Sequence, residues 1–197
     1  MDKEKGFESN TFIEVIKGQK VVACVRRMDD IPEVLNHDKI KTIFVLNCDI
    51  FQLKKIVAGA DNKGKTVFVH LDLIEGLGKD AVGIKFLAKA IGVQGIITTK
   101  VPLIKAAKKE GILAVQRIFA VDSEAVKTGI SMAKVAKPHA IEVMPAYLPK
   151  YYLEDIISEL GVPVLAGGLV RTEEEAAQVL DNGFCAITTS LRTLWNL

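Results

Sequence analysis

Two short stretches offer bare backbone and hydroxyls together. The apolar run PVLAGGL (163–169) ends in Gly167 and Gly168, and AITTS (186–190) ends in Thr188, Thr189 and Ser190. Glycines let amide groups approach an anion without side-chain obstruction. A short terminal helix after Ser190 would add the free N–H groups of Ser190 to Arg192, so the chemistry on offer is the cradling of a phosphate. Arg117 in VQRIFAVDS and Glu142 in AIEVMP lie inside apolar runs, where a charge must be paired or face a ligand because burying it alone is costly. Either they pair with each other or they contact a ligand. The densest polar segment is HLDLIEGLGKD (70–80): His70 could carry a proton near neutral pH, and Asp72 and Glu75 could hold ligand hydroxyls or a hard cation. Two carboxylates and one histidine at this spacing are not a metal signature, so hydroxyl recognition or internal hydrogen bonding is expected, and no metal. Lys100 follows the run GIITT, where a buried lysine could form a Schiff base, although TTKVPLIKAAKKEG reads equally well as a strand end opening into a surface helix.

These residues need elements to position them. Eight apolar, β-branched-rich runs recur, at 21–26, 42–47, 66–72, 95–99, 113–119, 140–145, 163–169 and 186–190. Their near-continuous hydrophobicity is that of parallel strands covered on both faces. Amphipathic segments of helical period separate them, among them 49–60, 79–92 and 147–161. Asp122 and Ser123 are placed to cap one helix, and Thr172 with Glu175 has the spacing of a capping box for another. Strand alternating with helix, without a linker or a composition shift, predicts an α/β fold: a single compact (β/α)8 barrel of the TIM type with mostly parallel strands over residues 1–197. Residues 1–20 form an N-terminal extension whose helix (10–18) closes the bottom, and 21–197 form the barrel. An open doubly wound sheet is the alternative, since periodicity does not show whether the first and last strands pair. In such a barrel function gathers at the carboxyl ends of the strands, and phosphate is commonly held after strands seven and eight.

Composition narrows the function classes. Hydrophobic residues make up 49% and charged residues 25%, an ordinary globular balance that excludes disorder. A net charge of +2 carries no global nucleic-acid signature, so an RNA surface would have to be local. Lysines at 54, 55, 105, 108, 109, 134 and 137 are spread over successive helices without interleaved aromatics, which is not a single-strand binding pattern. Cys24, Cys48 and Cys185 are odd in number and sit in apolar runs, predicting reduced, mostly buried thiols. The polar start and the lack of a long uncharged run predict a cytoplasmic protein with no membrane partner. A homo-oligomer is left open.

Taken in order, FVHLDLIEGLGKD, GIITTK, QRIFAVDS, IEVMP, LAGGL and TTSLRTLW resemble the glycerol 3-phosphate-responsive antiterminator family over about Val21 to Trp195. The sequence departs from the family pattern at Pro145-Ala146, where Pro-Gly is expected, and at Thr188-Thr189, where Ser-Thr is expected. The resemblance implies a regulator with an enzyme-like barrel. It would sense glycerol 3-phosphate as its effector, need no other cofactor, and act on the leader mRNA of a glycerol-utilisation operon. Gly167, Gly168, Thr189 and Ser190 would then hold the phosphate, while Asp72, Glu75 and Arg117 would face the glycerol end or order the site, with Glu142 and Lys100 as further candidate contacts. Two other readings compete: a small phosphate-gripping isomerase or aldolase using Lys100, His70 or Glu142, and a regulator that binds protein and never touches RNA.

Overall fold

The computed structural model describes residues 9–197; the polar stretch 1–8, the first part of the extension, lies outside the described residues. Each apolar run becomes a strand: β1 (Val21–Val25), β2 (Thr42–Val45), β3 (Thr66–His70), β4 (Gly95–Thr98), β5 (Leu113–Phe119), β6 (Ala140–Met144), β7 (Val164–Gly167) and β8 (Ala186–Thr189). All pair in parallel in chain order. β8 returns to β1 in the register Val22↔Thr188, which closes the ring and excludes the open sheet.

Successive side chains of a strand point to opposite faces, so each strand feeds two cores. Val22, Cys24, Phe44, Phe68, Ile97, Val115 and Leu165 fill the barrel interior. Val21, Ala23, Ile43, Val67, Ile96 and Ala166 face the surrounding helices. Burial on both sides is why these runs do not alternate with polar residues.

The helices are α1 (Ser9–Ile16), α2 (Ile31–Asn36), α3 (Ile50–Asp61), α4 (Ala81–Phe86, continuing as a π turn through Ile91), α5 (Val101–Lys109), α6 (Ser123–Ala136), α7 (Lys150–Leu160) and α8 (Glu173–Asp181). In α5, Leu103, Ile104 and Ala107 are buried on the barrel side. Lys105, Lys108 and Lys109 are exposed on the other. Caps fix where the helices begin. Asp122 accepts from the Ala125 amide at 2.7 Å at the start of α6, and Thr172 accepts from the Glu175 amide at 3.2 Å at the start of α8. The Glu175 carboxylate reaches back one residue beyond the expected box and accepts from the Arg171 amide at 2.7 Å. This pins the loop that follows β7.

α1 closes the bottom of the barrel. Phe12 is fully buried and meets Phe68 edge-on, ring centroids 5.6 Å apart, and Ile16 joins the same interior cluster. Gln19 secures the junction by donating to the Thr42 hydroxyl at 3.0 Å and accepting from the Thr42 amide at 2.9 Å. Burying one large aromatic contributes about 1.5–3 kcal/mol, enough to hold a short helix in place. Cys24 and Cys48 are buried free thiols; Cys185 is also free, and although the residue is exposed beside β8 its Sγ donates to the Val164 carbonyl at 3.1 Å, in keeping with reduced, mostly buried thiols.

Candidate functional site

The carboxyl ends of β1 and β5–β8 surround a cavity of about 530 Å3, within the range of small-ligand sites. Its floor is a buried polar network. Arg117 on β5 and Glu142 on β6 are register partners. The Arg117 Nε donates to Glu142 Oε2 at 2.7 Å, and the Thr188 hydroxyl on β8 donates to Glu142 Oε1 at 2.6 Å. Both oxygens of Glu142 are therefore engaged, and the carboxylate is fully buried. Of the two readings the sequence left open for this pair, mutual pairing is present, and both residues also line the cavity.

Gly167 and Gly168 serve different ends. A Cβ on Gly167 would lie 2.7 Å from the Thr188 hydroxyl oxygen and 3.0 Å from Glu142 Oε1, so this glycine makes room for the network beneath the cavity. Gly168 has φ +80° and turns the chain across the mouth, followed by Leu169 at φ 66°. An L residue there costs roughly 1 kcal/mol or more. Gly168, Thr189 and Ser190 line the cavity. The amide geometry after β8 differs from the expectation. The terminal segment is a five-residue 3-10 turn, Arg192–Asn196, and the Leu191 amide donates to the Thr189 hydroxyl at 3.1 Å. Arg192 turns away, its Nε donating to Asp30 at 3.0 Å.

Three arginines line the cavity, Arg26, Arg117 and Arg171, against one carboxylate, Glu142. Among the described residues Arg26 and Arg171 form no salt bridge over the neutralised floor, although the Glu175 carboxylate that accepts from the Arg171 amide lies within electrostatic reach of the Arg171 side chain. Neither Arg26 nor Arg171 was among the phosphate contacts proposed from the sequence. Arg26 was legible: it continues β1 two residues beyond the inward-facing Cys24. Arg171 was not, because its position depends on the left-handed turn at Gly168 and Leu169.

Asp72, Lys100 and Glu75 lie outside this cavity. Asp72 and Lys100 form their own cluster at the ends of β3 and β4: the Thr98 hydroxyl donates to Asp72 Oδ2 at 2.8 Å, and Lys100 Nζ lies 3.1 Å from Oδ1. Burial works against ionisation of Asp72, but the Thr98 hydroxyl and the Lys100 ammonium outweigh it and hold the carboxyl below its ordinary value. Glu75 is exposed in a short strand pair, opposite Asp49. The structure thus brings together Gly168, Thr189, Ser190, Arg117 and Glu142, with Gly167 beneath them, and sets Asp72, Lys100 and Glu75 apart.

Two further buried groups, Cys24 on β1 and His70 at the end of β3, have shifted titration. Burial, then the charge of Glu142, pushes the Cys24 thiol up to about 12. Burial, then the positive charge of Arg117, lowers the His70 pKa, and the His70 Nδ1 is buried without a hydrogen-bond partner. Among the described residues no cluster of three or more His, Cys, Asp or Glu side chains could hold a metal, and no helix is long and apolar enough to cross a membrane.

Residues 21–195 match the family model for the glycerol-3-phosphate responsive antiterminators. The chain belongs to that family. A glycerol uptake operon antiterminator regulatory protein from Listeria monocytogenes is 35% identical and superposes with a TM-score of 0.85 over 91% of this chain and 96% of its own. A glycerol uptake operon antiterminator-related protein from Thermotoga maritima is 38% identical, with a TM-score of 0.80 over 91% and 99%. The uncharacterized Escherichia coli protein YgcP is 31% identical over 94% of this chain and 96% of its own length. Aldolases at 18 and 12% identity share the barrel fold alone with this antiterminator family member.

Proposed function

We propose that this chain senses glycerol 3-phosphate at the mouth of its barrel and, when loaded, acts on the leader mRNA of a glycerol-utilisation operon in the cytoplasm to prevent premature termination. The observation that carries the ligand reading is the charge of the cavity: Arg26 and Arg171 stand without a salt bridge above a floor whose own charges cancel, a match for a phosphate monoester dianion. Gly168, Thr189 and Ser190 supply backbone and hydroxyl contacts on the same side. The glycerol end then points toward Arg117 and Glu142 rather than toward Asp72 and Glu75.

Ligand binding regulates only through a difference in affinity between two forms of the protein, commonly about 1–3 kcal/mol of coupling. The rim supplies a candidate for the moving part. Phe119, Val121 and Leu169 are 52, 77 and 63% exposed around the cavity, and drawing the loop after β7 inward over a bound ligand would cover them.

The site favours sensing over turnover. Both Glu142 oxygens are taken by Arg117 and Thr188, and Lys100 is half-exposed and ion-paired instead of sitting in the dry, unpaired setting that activates a Schiff-base lysine. The test is thermal denaturation with and without glycerol 3-phosphate, followed by NMR of the same mixture and a gel shift of the leader RNA. Stabilisation without product, together with tighter RNA binding in the presence of ligand, is the expected result. Product formation would move the chain to the enzymes, and equal RNA affinity with and without ligand would remove the switch.

A further inference from the structure

The nearly balanced net charge conceals a strong polarity around the barrel. Residues 81–137, which build α4, β4, α5, β5 and α6, contain ten Lys and Arg against three Asp and Glu. Residues 138–197 contain three against eight. One wall of the molecule is basic and the adjoining wall acidic.

The basic wall is mostly unspent. Lys85 and Lys89 lie one turn apart on α4, as do Lys105 and Lys109 on α5, and all four are exposed, as is Lys127 on α6. Among the described residues none of these five forms a salt bridge. The wall's three acids offset little of this: Asp122 is occupied as the α6 cap, Glu124 lies one turn before Lys127 but forms no salt bridge with it among the described residues, and Glu110 is half-buried beyond α5. Lys108 Nζ donates to the Lys137 carbonyl at 2.7 Å, tying the carboxyl ends of α5 and α6 into one surface. Within a helix such pairs are separated by about 6 Å of rise, and neighbouring helices lie about 8–10 Å apart, so the ammonium groups form an open grid. Lysines that merely complement helix dipoles would gather in the last turns, but Lys127 lies in the first half of α6 and Lys105 in the middle of α5.

We propose that the outer wall formed by α4, α5 and α6 is the surface that grips RNA, through the phosphates of a folded stem. This rests on the leader-RNA reading given above and adds the place of contact. α5 and α6 contain no aromatic residue and α4 presents one, the half-exposed Phe86, too few stacking platforms for a run of unpaired bases, while spread ammonium charges suit the spread phosphates of a helical stem. The wall is also connected to the mouth. Arg117 lines both the cavity at the mouth and a cleft of about 860 Å3 between α5 and α6, so the network under the ligand site and the base of the two lysine-bearing helices share a residue.

The test is the double reversal Lys105→Glu/Lys109→Glu, with Lys150→Glu on the acidic wall as the control. Fluorescence anisotropy would follow a labelled in vitro transcript of the untranslated leader ahead of the glycerol-uptake genes of the same organism, with saturating glycerol 3-phosphate and a potassium chloride titration. The double variant is expected to lose about tenfold or more in affinity and to flatten the salt slope by about 1.4 to 1.8, two phosphate contacts' worth. Its ligand-induced thermal shift stays intact, showing that it folds and that the cavity works. Unchanged RNA affinity in the double variant, with tight binding by the unmutated protein, overturns the assignment while leaving the RNA reading intact. No RNA binding by the unmutated protein overturns both. Loss of antitermination in a reconstituted transcription assay with RNA affinity unchanged overturns it as well, and gives the wall to an acidic protein partner.

Discussion

Two ion pairs sit near the top of this barrel and are built to opposite specifications. Arg117 and Glu142 meet inside the ring, with side chains 7 and 1% exposed, and the Thr188 hydroxyl completes the carboxylate's partners. Lys100 and Asp72 meet at its edge, where the lysine is 53% exposed. The first pair is held by strand register, since Arg117 and Glu142 lie directly opposite each other on adjacent strands. The second depends on a long flexible side chain folding back. Register fixes a charge in a dry place without side-chain freedom, and this is what a floor for anion recognition needs; the edge pair can form and break at little cost.

Removing Glu142 is the severest way to break this contrast. Glu142→Ala leaves the Arg117 guanidinium buried without its partner and is expected to cost about 3–5 kcal/mol, read from urea denaturation midpoints. A loss below 1 kcal/mol would mean that water reaches the floor and that the two pairs are alike after all. Arg171→Ala removes no buried contact, so its effect should fall on the ligand: about 10- to 100-fold weaker glycerol 3-phosphate binding by calorimetry, equivalent to about 1.4–2.7 kcal/mol, with stability near wild type. Gly167→Ala pushes a methyl into the Thr188 and Glu142 contacts, and about 1–3 kcal/mol of destabilisation is expected.

The edge pair predicts smaller numbers. Lys100→Ala should change stability by about 1 kcal/mol or less, and less again in high salt. Asp72 is more stably ionised in the folded protein than in the unfolded chain, where its value is near 3.8. Its contribution is therefore present above that value and lost as pH falls through the lower folded one. Asp72→Asn should be less stable than wild type near neutral pH, and the difference should close on acidification below about pH 4. A difference that widened in acid would reverse the sign of the argument.

Much of this was legible in the chain. Eight two-sided apolar runs reveal a parallel sheet because burial on both faces removes alternation, and Arg117 and Glu142 betray a floor because a charge inside such a run must be answered. The extra geometry came from places where period carries no information. Glu75 was grouped with Asp72 by proximity in sequence, but a two-residue strand pair opposite Asp49 carries it away from the cavity. Gly167 was taken for an anion-facing amide, yet its lack of a side chain makes room for Thr188 and Glu142. Arg171 was overlooked because a turn through two left-handed residues redirects the chain before it, and Leu169 gives no sign of that conformation by its type.

The plug that α1 drives into the bottom of the ring completes an interior already filled by Phe44, Phe68, Val115 and Leu165, so nothing among the described residues opens a way along the barrel axis. Under the proposed sensing role, a ligand that enters past Leu169 and Phe119 leaves past them too, so the lifetime of the loaded state is set at the rim. Trimming Phe12 to alanine would hollow the base of a packed core and cost stability, while the rim and the ligand's way out stay as they are.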